Sequence, residues 1–177
     1  MKKLTNFTLL LFAVACLFAL TSCSAENELD EITLSGTESA DAKMQMRPFG
    51  GSYETRHYVL PESAFPIQRI RITGQGQFSH MGKSIVVTNT TLNLTPPPPF
   101  ITNGTNVITA ANGDELHSSF TGTAVPQQDG RLLVTVNHTI TGGTGRFYDA
   151  SGHYTGVSYS VPAAEAGLVI ITGEIAY

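Results

Sequence analysis

The chain has 177 residues, with 10 Lys+Arg against 14 Asp+Glu and a formal net charge of −4. After Arg71 the only basic residues are Lys83, Arg131 and Arg146, which form no cluster. That excludes a phosphate-tracking stripe and with it a nucleic-acid partner. Of the two cysteines, Cys16 lies inside an apolar leader, so Cys23 stands alone afterwards: no internal disulfide, thiolate cluster or CxxC motif can form.

Lys2 and Lys3 precede an almost purely apolar run, Leu9–Leu20. The run is well short of the roughly 20 helical residues that span a bilayer, so it reads as the h-region of a secretory signal. The following Leu20-Thr21-Ser22-Cys23 resembles a bacterial lipobox, with residues 1–22 as signal peptide and Cys23 as the lipid acceptor. Acyl chains contribute about 0.8 kcal/mol per buried methylene, so several on one residue anchor a domain stably. From Cys23 to Ala42 come six acids (Glu26, Glu28, Asp30, Glu31, Glu38, Asp41) and no Lys or Arg. One-sign charge with low hydrophobicity predicts an acidic, flexible tether over residues 23–48. Ser24 does not resemble the aspartate associated with inner-membrane retention, and the acids resemble surface-export signals of Gram-negative lipoproteins. The expected address is the outer membrane, on either face, with the bilayer as partner through lipid.

Residues 49–177 read as one all-β domain, rich in Thr, Val, Ile and Gly and without a helical period. The predicted strands are Tyr53–Val59, Ile67–Ser79, Ser84–Thr95, Thr105–Ala111, Glu115–Ala124, Arg131–Thr141, Ser151–Ser160 and Gly167–Tyr177. Short Gly-, Asn- and Pro-rich turns separate them, which makes neighbours antiparallel. Leu132, Val134, Val136, His138 and Ile140 alternate with Leu133, Thr135, Asn137 and Thr139, as in a half-buried strand. Ile70, Ile72, Gly74, Gly76 and Phe78 make a similar face, whose glycines suit a sharp bend at a barrel corner. About eight strands in roughly 125 residues suffice to close a small antiparallel barrel, with a two-sheet sandwich as the competing architecture.

Thr141-Gly142-Gly143-Thr144-Gly145-Arg146-Phe147 lies between two β patterns. No helix and no Gly-Lys-Ser/Thr follows, so it is a backbone turn rather than a phosphate loop. With Gly74–Gly82, the Ala111-Asn112-Gly113-Asp114 turn and the terminal Gly173-Glu174-Ile175, the stretch resembles the allene oxide cyclase and dirigent-type β-barrels. In that family a Gly-Gly-Thr-Gly-x-Phe turn (here Gly142, Gly143, Thr144, Gly145 and Phe147) occupies a comparable late position. The resemblance spans about Ile70–Tyr177 and implies a barrel whose lumen can hold a small apolar molecule. The catalytic residues of those proteins do not transfer onto this chain.

His80, His117, His138 and His153 form no HExxH or other close metal-ligand spacing, so neither a metal nor another cofactor is expected. His138 should point inward with Val136, whereas His117 should face solvent beside Glu115. Val136, His138, Phe120, Phe78 and His80 are the expected lumen residues, and Glu174 is expected outside. No serine nucleophile elbow is present. Two functions remain open: a non-catalytic binding or interaction module, and an isomerase or coupling-directing protein acting on a small apolar substrate in the lumen.

Overall fold

The computed structural model describes residues 45–177. The expected signal peptide, Cys23 and most of the expected tether lie outside the described residues. Eight strands follow one another: β1 (Arg47–Val59), β2 (Ile67–Phe78), β3 (Gly82–Asn93), β4 (Phe100–Ala110), β5 (Glu115–Pro126), β6 (Leu132–Gly143), β7 (Ser151–Val161) and β8 (Ala166–Ala176). Each pairs antiparallel with its chain neighbours, and β1 pairs with β8 from Arg47↔Ile175 to Arg56↔Ala166. The result is a closed barrel, not a sandwich, in which every strand has a partner on both sides.

Two strands begin earlier than their composition predicts. Tyr53 marks the start of the β pattern in sequence, yet β1 begins at Arg47, so the domain includes residues before 49. Pro48 and the Gly50-Gly51 pair hide this segment. Pro48 is tolerated because β2 joins β1 only from Gly51 onward, so one side of the ladder is free there. In β4, Thr102-Asn103-Gly104 reads as a turn but lies within the strand. Gly104 is a close approach: a Cβ there would stand 2.8 Å from the Phe120 ring.

The barrel has two unlike ends. At one end lie the starts of β1, β3, β5 and β7, the end of β8 and the 144–150 connection. A 3₁₀ turn at Gly145–Phe147 drives Phe147 into this end, where it is fully buried against Tyr177, with ring centroids 4.9 Å apart. The glycine-rich turn is thus a plug. Gly142 and Gly145 take φ of 115° and 57°, open to glycine at little cost. Thr144 bonds Glu115 reciprocally, its N–H to the Glu115 carbonyl and its Oγ1 accepting from the Glu115 N–H, both at 2.9 Å. Arg146 donates to the His80 carbonyl and lies 3.7 Å from Asp114, tying three turns together.

Above the plug the lumen is filled. Phe49 packs on Phe78 and Tyr154 at 6.5 and 5.4 Å, Tyr53 packs on Phe78 at 5.5 Å, and Ile108 and Ile171 close the gaps. Gly74 and Gly76 face inward on β2 and give Tyr53 its place. A Cβ on Gly76 would stand 2.4 Å from the Tyr53 Cβ and 2.1 Å from the Ser52 carbonyl oxygen. Gly76→Ala is therefore expected to destabilise the fold by about 2–3 kcal/mol. Thr121→Ala, on the outer wall, should stay within about 0.5 kcal/mol of the parent. Urea titration of the two variants would show whether the inward glycines carry this burden.

Candidate functional site

The other half of the lumen is hollow. A cavity of about 120 Å³ lies between the aromatic layer and the end that carries the 60–66, 94–99, 127–131 and 162–165 connections. Strand alternation builds its wall: β2 supplies Ile70 and Ile72, β3 Leu92, β6 Val134 and Val136, and β8 Val169. Hydroxyl side chains of Thr55, Thr88, Thr90, Thr102, Ser158 and Ser160 are interspersed among these apolar residues. Among the described residues, no Lys, Arg, Asp or Glu lines it.

Two imidazoles face this space, and they are held differently. His57, near the end of β1, has both nitrogens occupied: Thr55 Oγ1 lies 2.9 Å from Nε2 and Ser160 Oγ lies 3.2 Å from Nδ1. Burial lowers its pKa from the ordinary histidine value, partly opposed by the Glu165 charge. His138, midway along β6, forms the floor. Its ring stacks on Tyr154 at 4.1 Å and 13°, with Phe120 tilted against it at 4.8 Å. Only Nδ1 has a partner among the described residues, Ser118 Oγ at 3.1 Å. No fully buried side-chain nitrogen or oxygen among them lacks a partner, so His138 Nε2 is not sealed in the core.

Beneath the floor runs a chain of buried polar groups. Thr88 Oγ1 donates to Asn106 Oδ1 at 2.6 Å, and Asn106 Nδ2 donates to Tyr154 Oη at 3.0 Å. Tyr154 Oη lies 2.7 Å from Ser118 Oγ, which leads to His138. Every link is satisfied, which removes the 1–3 kcal/mol or so that an orphaned buried group costs. Burial pushes His138 down to about 3 and Tyr154 up to about 12, and raises Tyr53 as well. At neutral pH the floor is uncharged throughout.

Of the residues expected in the lumen, Val136, His138 and Phe120 line the cavity. Phe78 does not: it points inward but lies in the filled half, buried between Phe49 and Tyr53. His80 does not either. It follows the end of β2 in a left-handed turn (φ 64°), exposed, with Nε2 2.9 Å from the Pro48 carbonyl oxygen, so it ties backbone. His117 sits on the outer wall 2.9 Å from Glu115, and Glu174 is exposed. No group of three or more His, Cys, Asp or Glu is placed to hold a metal among the described residues. Sequence reasoning missed His57, Thr55, Ser160 and the Thr88–Asn106–Tyr154–Ser118 chain. The parity of Tyr53, Thr55 and His57 in β1 was the available signal for the first two. No family model, curated protein or solved structure matches the chain.

The arrangement can hold and orient a neutral molecule. His138 and Tyr154 at the floor are poorly suited to moving protons, since a base with a pKa of about 3 and an acid of about 12 are both far from neutral pH. The same shifts set a pH dependence of stability. Between 6.5 and about 3, the unfolded chain protonates His138 while the fold keeps it neutral. Stability is therefore retained above 6.5 and falls on acidification, by up to about 1.4 kcal/mol per pH unit for one such imidazole. Urea denaturation from about pH 7 to 5 should show this slope, and His138→Gln should make it shallower. Identical slopes would contradict a buried neutral imidazole.

Proposed function

We propose that this is a lipid-anchored outer-membrane lipoprotein whose barrel, of the allene oxide cyclase-like kind, binds one small, mostly apolar molecule without transforming it. The observation that carries the binding reading is the hollow half of the lumen. An eight-stranded barrel is just wide enough either to fill with side chains or to keep room for one small ligand. Here both outcomes occur in one lumen. A void of about 120 Å³ is close to the engineered apolar cavity of about 150 Å³ that takes up benzene. The ligand is then a single ring or branched group, or one end of a longer apolar molecule. Binding is favoured over isomerisation because neither His138 nor Tyr154 exchanges a proton readily near neutral pH. The anchoring reading rests on the lipobox and the acidic stretch behind it.

Each half has its own test. In cells, Cys23→Ser should move the protein from the membrane fraction to the soluble fraction or stall its processing; unchanged partitioning would overturn the anchor. For binding, toluene and similar monocyclic compounds should raise the melting temperature in proportion to RT ln(1 + [L]/Kd). Val134→Phe, which fills the cavity, should abolish that shift. If none of these compounds stabilises the parent protein, the container reading is wrong.

A further inference from the structure

The polar chain under the cavity floor has a direction. Thr88 gives its hydroxyl proton to Asn106 Oδ1, which turns the Asn106 amide N–H toward Tyr154 Oη. Having accepted there, the phenol has one proton to place, and Ser118 Oγ at 2.7 Å is its other partner. Ser118 in turn has one proton to place, and His138 Nδ1 lies 3.1 Å away. A neutral imidazole that accepts at Nδ1 carries its own proton on Nε2. Run in this direction, four donors in series place the His138 proton on Nε2, which has no partner among the described residues.

That nitrogen faces usable space. Gly156 lies across from it on β7, and a Cβ at Gly156 would stand 3.6 Å from Nε2. The glycine keeps open the approach that any larger residue would narrow. By contrast, the hydroxyls of Thr55 and Ser160 occupy both nitrogens of His57. With no charged side chain on the wall, a ligand ion would be desolvated without a counter-charge, at a cost of several kcal/mol or more.

We propose that His138 Nε2–H is a pre-set hydrogen-bond donor, and that the ligand is a neutral molecule presenting a carbonyl or ether oxygen on an apolar body. Ser118, Tyr154 and Asn106 are positioning residues: they hold the proton on the correct nitrogen without lining the cavity. The inference rests on the container reading and sharpens it, from any apolar occupant to one with a buried acceptor. It also gives the buried chain a purpose beyond stability, since apolar side chains of similar size would fill the same volume without a polar cost.

Two measurements test it on the full chain in detergent micelles. Long-range ¹H–¹⁵N correlation on histidine-labelled protein should show the His138 proton on Nε2, with Ser118→Ala giving a mixture of tautomers. A proton on Nδ1 would mean that the chain runs the other way, and would overturn the proposal. The second measurement compares cyclohexanone with methylenecyclohexane, which have nearly the same shape but differ in the acceptor. The ratio of ketone to hydrocarbon affinity should fall about tenfold in His138→Phe. Gly156→Ala, whose methyl would lie in van der Waals contact with Nε2 and 3.1 Å from Val136 Cγ2, narrows the approach and should lower it in the same direction. An unchanged ratio in both variants would sink the donor and leave the container standing. Failure of both compounds to bind the parent protein would remove the container as well.

Discussion

Everything described here depends on the ladder between β1 and β8. Those ten paired positions, from Arg47↔Ile175 to Arg56↔Ala166, turn a meander into a tube. A tube has one radius, set by strand number and stagger, and side chains must live within it. In an open sheet the inward face of β1 would be remote from those of β6 and β7. In the closed one, Thr55, His138 and Gly156 surround a common space.

The lumen meets the fixed radius in two ways. Toward the plug, glycines on β2 and β8 let large rings lie flat against the wall, and the interior packs solid. Toward the other end most of the inward residues are aliphatic or hydroxyl side chains, which leave the axis empty. The chain Thr88–Asn106–Tyr154–Ser118–His138 lies at the boundary between these regimes. It is there that polar groups can be both fully bonded to one another and within reach of a void. The outer wall is largely Thr, Asn and Ser over β4–β6, and turns apolar over β7–β8, where Val157, Tyr159, Leu168 and Ile170 are exposed.

Alternation made much of this legible from residues alone. β6 announced its inward face, and Val136 and His138 sit on the cavity wall because a strand has period two and one face must be buried. Strand ends were harder to read. Pro48 and Gly104 look like breakers, yet each serves the sheet: the first where β2 does not reach, the second where a ring needs room. Depth along the axis was not legible at all. Phe78 and Phe120 both point inward, but nothing local says that one is in the filled half and the other beside the void. That is decided by stagger, which only the closed ladder sets. The polar chain was hidden for the same reason: its five members come from β3, β4, β5, β6 and β7, and no sequence spacing links them.

The plug has a consequence for how such a barrel is loaded. Arg47 enters at the plugged end, beside Tyr177, whose ring lies 5.2 Å from the Arg47 guanidinium. The cavity lies toward the opposite pole, under the 60–66, 94–99, 127–131 and 162–165 connections. A guest bound for it has to pass these four connections rather than the Phe147 turn, so it is their side chains that set which molecules enter.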